Sequence, residues 1–129
     1  MKYILLSVLV VSLIGFVMIT NAYGFEYDYY DGFYVTYGNC DVNVESNVLI
    51  NVGCTIAHDS SVGKHTFLSP RVSIAGFVNV GDRCNIGINA TIIDNISIMN
   101  NVQIGGGAVV ISHVKKEGLY VGNPARFIR

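Results

Sequence analysis

Tryptophan is absent from this 129-residue chain, proline occurs twice, and charged residues make up only 13%. The formal net charge is −1, and the eight Lys and Arg form no cluster or stripe. Without a basic patch to meet phosphates, no nucleic-acid partner is expected. Cysteine is scarce: Cys40, Cys54 and Cys84 are odd in number and lack metal-ligand spacing, which argues against a disulfide framework and against a cysteine-bound metal. Three histidines, His58, His65 and His113, also lack a familiar zinc spacing, so no metal is expected. The length suits one domain.

What the chain has in quantity is a repeat. Val44, Ile50, Ile56, Val62, Leu68, Ile74, Val80, Ile86, Ile92, Ile98, Ile104 and Val110 recur every six residues without a miss. Helices have a period of 3.6 and strands a period of two. A sustained period of six marks a parallel β-helix of hexapeptide repeats. Two residues before each aliphatic stands an uncharged, mostly small side chain, among them Cys54, Ser60, Thr66, Cys84 and Ala90. One residue after it, Gly occurs at 63, 81, 87 and 105. These small positions are read as the tight corners between flat faces. Three hexads make one coil of eighteen residues. Ile56, Ile74, Ile92 and Val110 then stack on a first face, Ile50, Leu68, Ile86 and Ile104 on a second, and Val44, Val62, Val80 and Ile98 on a third. Four coils at the strand spacing give a prism roughly 19 Å tall. Cys54 and Cys84 fall on the small inward position and read as buried free thiols, which favours a reducing compartment.

The N-terminus reads differently. Residues 1–22 place Lys2 before an apolar run from Ile4 to Ile19, followed by Thr20-Asn21-Ala22. This run is short for a membrane span and suits the core of a signal peptide. A secretory signal, a single anchor through residues 4–19, a cap over the open solenoid end and a wrongly chosen start all stay open. The flanking charges, Lys2 against Glu26, Asp28 and Asp31, would put the solenoid outside. Residues 23–38 hold six of the eight Tyr and show no hexad period. They read as an irregular linker or cap, since solenoid ends need covering. The domain plan is therefore a hydrophobic segment at 1–22, a Tyr-rich linker or cap at 23–38, the β-helix at 39–112 and a tail at 113–129.

Several segments carry a more specific likeness. They are Asn51-Val-Gly-Cys-Thr-Ile-Ala-His58-Asp59, Val62-Gly63, Leu68-Ser-Pro70, Ala75-Gly-Phe-Val-Asn-Val-Gly81, Ile86-Gly-Ile-Asn-Ala-Thr-Ile92, Ile104-Gly-Gly-Gly-Ala-Val-Val110 and Val121-Gly-Asn-Pro-Ala-Arg126. In this order, residues 39–129 resemble the catalytic part of the sugar O-acyltransferase family that acetylates sialic acid or bacterial UDP-4-amino-sugars. The resemblance implies an all-β fold, a left-handed parallel β-helix, assembled as a homotrimer. It also implies acetyl-CoA as co-substrate, bound in grooves between neighbouring prisms, and a sugar or sugar-nucleotide acceptor. It places the protein in the cytoplasm, against the charge reading of the N-terminus. Two features depart from the family. A nucleotide-binding-like N-terminal domain is replaced by 38 unrelated residues, and Phe67 stands where a second His is common.

The residues can be weighed one at a time. Acyl transfer from a thioester to an amine or hydroxyl needs a base, and imidazole suits that role at neutral pH. His58 lies two residues past the inward Ile56, hence at a corner, and Asp59 can orient its ring. Either could instead be an ordinary surface or turn residue. By resemblance, the pantetheine arm of CoA runs along Gly105 and Gly106, with Gly87, Ile88 and Phe67 in the same groove. Asn123, Pro124 and Ala125 would turn the terminal segment beside the adenine end. A backbone N–H of the Gly105–Gly107 or Gly87–Ile88 segment could hold the thioester oxyanion. Lys115 and Lys116 could meet the CoA phosphates or stay solvated. The expected function is acetyl transfer from acetyl-CoA to a sugar amine or hydroxyl, with His58 as base. The alternative is a non-catalytic solenoid that kept the fold, possibly secreted.

Overall fold

Each aliphatic position of the repeat ends a short strand. From Asn43–Val44 to Val109–Val110, every hexad gives two or three extended residues that close on the aliphatic. The computed structural model describes residues 41–129 together with the strand Tyr34–Val35. The readings of residues 1–22, of Cys40 and of the rest of 23–38 lie outside the described residues. All regular elements among the described residues are strands.

The strands stack into three sheets, one per face of a triangular coil. On the first face, Ile56, Ile74, Ile92 and Val110 are direct partners in successive parallel strands. The second face aligns Ile50, Leu68, Ile86 and Ile104. The third aligns Val44, Val62, Val80 and Ile98. These are the stacks that the period requires. Inside the prism, Ile50, Ile56, Leu68, Ile86 and Ile92 are fully buried. The residues two before them, from Val48 to Ala108, are buried too.

Regular pairing runs past the hexads at both ends. Tyr34–Val35 joins the first face beneath Cys54–Ile56. Gly118–Val121 adds a parallel strand to the second face above Val102–Ile104, and Arg126–Phe127 folds back on it antiparallel. Residues 113–129 thus continue the prism by part of a coil, and the aromatic pair Tyr120–Phe127 lies on it.

The corners are built differently from the sequence reading. The residue that turns the chain sits three positions past the aliphatic, where φ is left-handed in eleven successive hexads. These are Asn47, Gly53, Asp59, His65, Arg71, Phe77, Arg83, Asn89, Asn95, Asn101 and Gly107. Asn and Asp tolerate this region better than other residues with a Cβ, which explains their frequency there. Gly87, directly after its aliphatic, is needed for a different reason. A Cβ there would lie 2.6 Å from the Gly106 nitrogen and 2.7 Å from the Ile104 oxygen of the coil above.

The polar inward side chains stitch coils together. Ser60 Oγ donates to the Ala75 carbonyl at 2.8 Å, and Thr66 Oγ1 to that of Gly81 at 2.9 Å. Cys54 Sγ donates to the Ser69 carbonyl at 3.0 Å and Cys84 Sγ to that of Met99 at 3.2 Å. Both thiols are free and buried. Burial pushes each above the ordinary thiol value of 9.0, outweighing the backbone N–H groups that pull it down.

Truncating Ile74→Ala on the central stack should cost about 2–5 kcal/mol, read from the urea midpoint. Gly87→Ala, which presses on backbone, should cost about 1–3 kcal/mol. The thiol pKa values are higher folded than unfolded. Their contribution to stability is therefore complete below pH 9.0 and lost as pH rises through the folded values. Peptide mapping after treatment with a thiol reagent at about pH 8 should find Cys54 and Cys84 unlabelled in native protein and labelled in urea.

Candidate active site

Strand Cys54–Ile56 delivers the chain to the corner that leaves the first face, where His58 and Asp59 follow. Adjacent side chains seldom face each other, but the left-handed turn at Asp59 (φ 55°) brings them together. His58 Nδ1 lies 2.9 Å from Asp59 Oδ2, with the two side chains 47% and 44% exposed. A carboxylate oxygen accepts, so Nδ1 donates, and Nε2 keeps its lone pair. The pair therefore has the form of a carboxylate-oriented imidazole base.

The coil above supplies the rest of the setting. A Cβ on Gly76 would lie 2.7 Å from Cε1 and 2.8 Å from Nε2 of His58. The ring occupies the space that any other residue at 76 would take. Phe77 sets its ring 5.0 Å from the imidazole, centre to centre, at 89°. Its N–H donates to the His58 carbonyl at 3.0 Å. Buried Ser60 anchors the same corner, donating to Ala75 and accepting from the Val78 N–H at 3.1 Å. Gly76, Phe77 and Ser60 are residues that sequence reasoning did not place at the site. An eighteen-residue offset from His58 to Gly76 is the signal that could have found them, since one coil separates stacked neighbours.

The other expected residues form a second group on a different edge. Phe67 points outward from the second face, 38% exposed, on the strand Phe67–Leu68. Gly87 and Ile88 lie at the corner leaving that face, and Gly105 and Gly106 lie one coil above. The Gly107 N–H donates to the Ile88 carbonyl at 2.7 Å, and Ile88 is 52% exposed. A Cβ on Gly107 would meet nothing within 4 Å, whereas one on Gly105 would lie 2.7 Å from Val121 Cγ1 and one on Gly106 3.2 Å from Ile88 Cγ2. The terminal segment covers this corner: Gly105 N–H donates to the Tyr120 carbonyl, and Ala125 N–H to that of Val109. Asn123 and Pro124 lie in that covering turn. Within one chain, His58 and Asp59 are thus separated from Phe67, Gly87, Ile88, Gly105, Gly106, Asn123, Pro124 and Ala125.

The remaining basic candidates have local partners. His65 Nδ1 lies 2.6 Å from Asn47 Nδ2, and His113 Nδ1 accepts from the Ser97 N–H at 3.0 Å. Among the described residues no three His, Cys, Asp or Glu gather as metal ligands. Lys116 Nζ sits 3.9 Å over the Phe127 ring, and Lys115 is exposed.

No family model matches the chain. UDP-3-O-acylglucosamine N-acyltransferase of Bordetella pertussis is 34% identical over 82 residues, which are 64% of this chain and 23% of that protein. The chain thus spans less than a quarter of the length of this curated relative. Serine acetyltransferase of Neisseria gonorrhoeae has a solved structure with a TM-score of 0.65 at 26% identity, over 68% of this chain and 39% of its own. A hexapeptide-repeat acetyltransferase of Vibrio cholerae, complexed with acetyl-CoA, gives a TM-score of 0.69 at 18% identity, over 74% and 63%. A histidine variant of perosamine N-acetyltransferase of Caulobacter crescentus, with CoA and GDP-perosamine, gives 0.58 at 19%, over 74% and 53%. The coils are therefore those of a left-handed β-helix of hexapeptide repeats. Within that class, the homologues of this chain are hexapeptide-repeat acyltransferases.

Gly76→Ala should push the imidazole out of its seat and break the Nδ1–H bond to Asp59. Nitrogen-15 NMR of the His58 ring checks this: the Nδ1 and Nε2 shifts should move toward those of a free imidazole in which the two tautomers average.

Proposed function

We propose that this chain is an acetyl-CoA-dependent acetyltransferase acting on an amine or hydroxyl of a sugar or sugar nucleotide. The observation that carries the proposal is the His58–Asp59 pair, with its 2.9 Å hydrogen bond and with Nε2 free above Gly76. Support for the donor and acceptor comes from relatives: one is an acyltransferase of a UDP-linked amino sugar, and one was solved with CoA and GDP-perosamine. In the reaction, the acceptor nitrogen or oxygen attacks the thioester carbonyl. His58 Nε2 takes the acceptor's proton, and Asp59 steadies the imidazolium that forms. A backbone N–H holds the tetrahedral oxyanion. Collapse breaks the carbon–sulfur bond, and the imidazolium returns the proton to the CoA thiolate.

The glycine-lined edge fits the donor. Gly106 and Gly107 are exposed and leave the backbone bare of side chains, and Ile88 offers an exposed apolar side chain for the pantetheine arm. Phe67, Gly87 and the turn Asn123-Pro124-Ala125 border the same edge. Because this edge and His58 lie apart in one chain, the reading requires a closed homotrimer. There the first-face corner of one prism meets the second-face corner of its neighbour. The narrower branch we favour is the one that acetylates sialic acid or UDP-4-amino-sugars, and it carries a cytoplasmic site of action. Phe67, in place of a second histidine, instead favours a non-catalytic solenoid that kept the fold.

Calorimetry with CoA, followed by acceptor screening with sugar nucleotides, separates the two readings. The active reading expects CoA binding by both the natural protein and His58→Ala. It expects His58→Ala to lose about 10²–10⁴ in turnover. Binding without transfer to any acceptor would favour the solenoid, and full turnover by His58→Ala would exclude the base.

A further inference from the structure

Ten other hexads fill the left-handed corner position with Asn, Asp, Gly, His or Arg, and Phe77 is the one aromatic carbocycle among them. Its φ of 56° crowds the Cβ of a bulky residue against the following carbonyl. Nor does burial compensate, because the side chain is 56% exposed. The register imposes the same conformation on the exposed His65, Arg71 and Arg83, so what sets Phe77 apart is the contact its ring makes. The contact here is the edge-to-face packing on His58, a geometry that aromatic pairs prefer.

The imidazole is then bounded by three neighbours. Asp59 holds Nδ1, the bare Cα of Gly76 lies against Cε1 and Nε2, and the Phe77 ring stands at a right angle. The hydrogen bond to Asp59 fixes one ring atom but still allows rocking about that contact. An aromatic wall at 89° opposes such rocking. Asn at 77, as at Asn95 on the same corner one coil above, would relax the backbone and remove the wall.

We propose that Phe77 is a positioning residue for His58, holding the ring so that Nε2 stays over Gly76. This rests on the assignment of His58 as the base. The test compares the full chain with Phe77→Asn and Phe77→Tyr. Carbon-edited NMR of the His58 Cε1–H and Cδ2–H, assigned with His58→Gln, reads ring placement without any substrate. Phe77→Asn should move both resonances toward their solvent-exposed positions, while Phe77→Tyr, which keeps the ring, should hold them. The thermal midpoint of Phe77→Asn should rise by about 4 °C as the corner relaxes. In the transfer assay, kcat of Phe77→Asn should fall about tenfold or more, with KM for the acceptor unchanged and Phe77→Tyr falling far less.

Unmoved His58 resonances in Phe77→Asn would overturn the proposal, as would a lower midpoint with the ring still in place. A change confined to acceptor KM would also overturn it, because Phe77 would then contact substrate and not position the base. If the natural chain transfers no acetyl group at all, the assignment of the reaction fails, and the NMR comparison still decides whether Phe77 holds the ring.

Discussion

The prism depends on its amide N–H groups, which point along its axis and tie each coil to the ones above and below. On the faces the residues flanking each strand's central pairing donate to the coil above, as from Thr55 to Val72 and from Ala57 to Ile74. At the left-handed corner the peptide flips, and the N–H donates to the coil below: His65 to Ser46, Arg71 to Val52, Phe77 to His58, Arg83 to Lys64. The same pattern continues through Asn89, Asn95, Asn101 and Gly107. Buried backbone groups must be paired, and this alternation pairs them without a sheet that ever needs an edge within the stack. It also locks the coils in an eighteen-residue register, so that residues one coil apart are fixed neighbours.

That register governs the chemistry. His58 gains its environment from Gly76 and Phe77 because they stand eighteen and nineteen residues further along the chain. Ser60 secures the corner from the inside by bonding to Ala75. Rigid backbone around a half-exposed imidazole is what a base needs, since orientation must survive without burial. At another corner the same lattice leaves Gly106 and Gly107 exposed without side chains.

Much of the fold was legible because a period of six admits few solutions. The three aliphatic stacks follow from counting alone, and so do the buried thiols at Cys54 and Cys84. The corners were less legible. Glycines after the aliphatic suggested the turning residue, but Gly87 is small because the next coil passes close, and the turn falls two positions later. Nothing in the residue type announces that Phe77 adopts φ of 56°, because its backbone is set by the register and not by propensity. His58 and Asp59 could be named as a pair from their adjacency and likeness. Their separation from the glycine edge was legible too, because counting hexads by threes puts His58 after the first face and Gly87 and Gly105 after the second.

The seating of His58 against Gly76 has a further reach. All the parts that shape the imidazole belong to two adjacent storeys, and a solenoid storey touches only the ones directly above and below. The His58 seat is thus a cassette: coils can be added or removed farther along the axis, in whole turns, while this unit passes unchanged from a short prism to a long one.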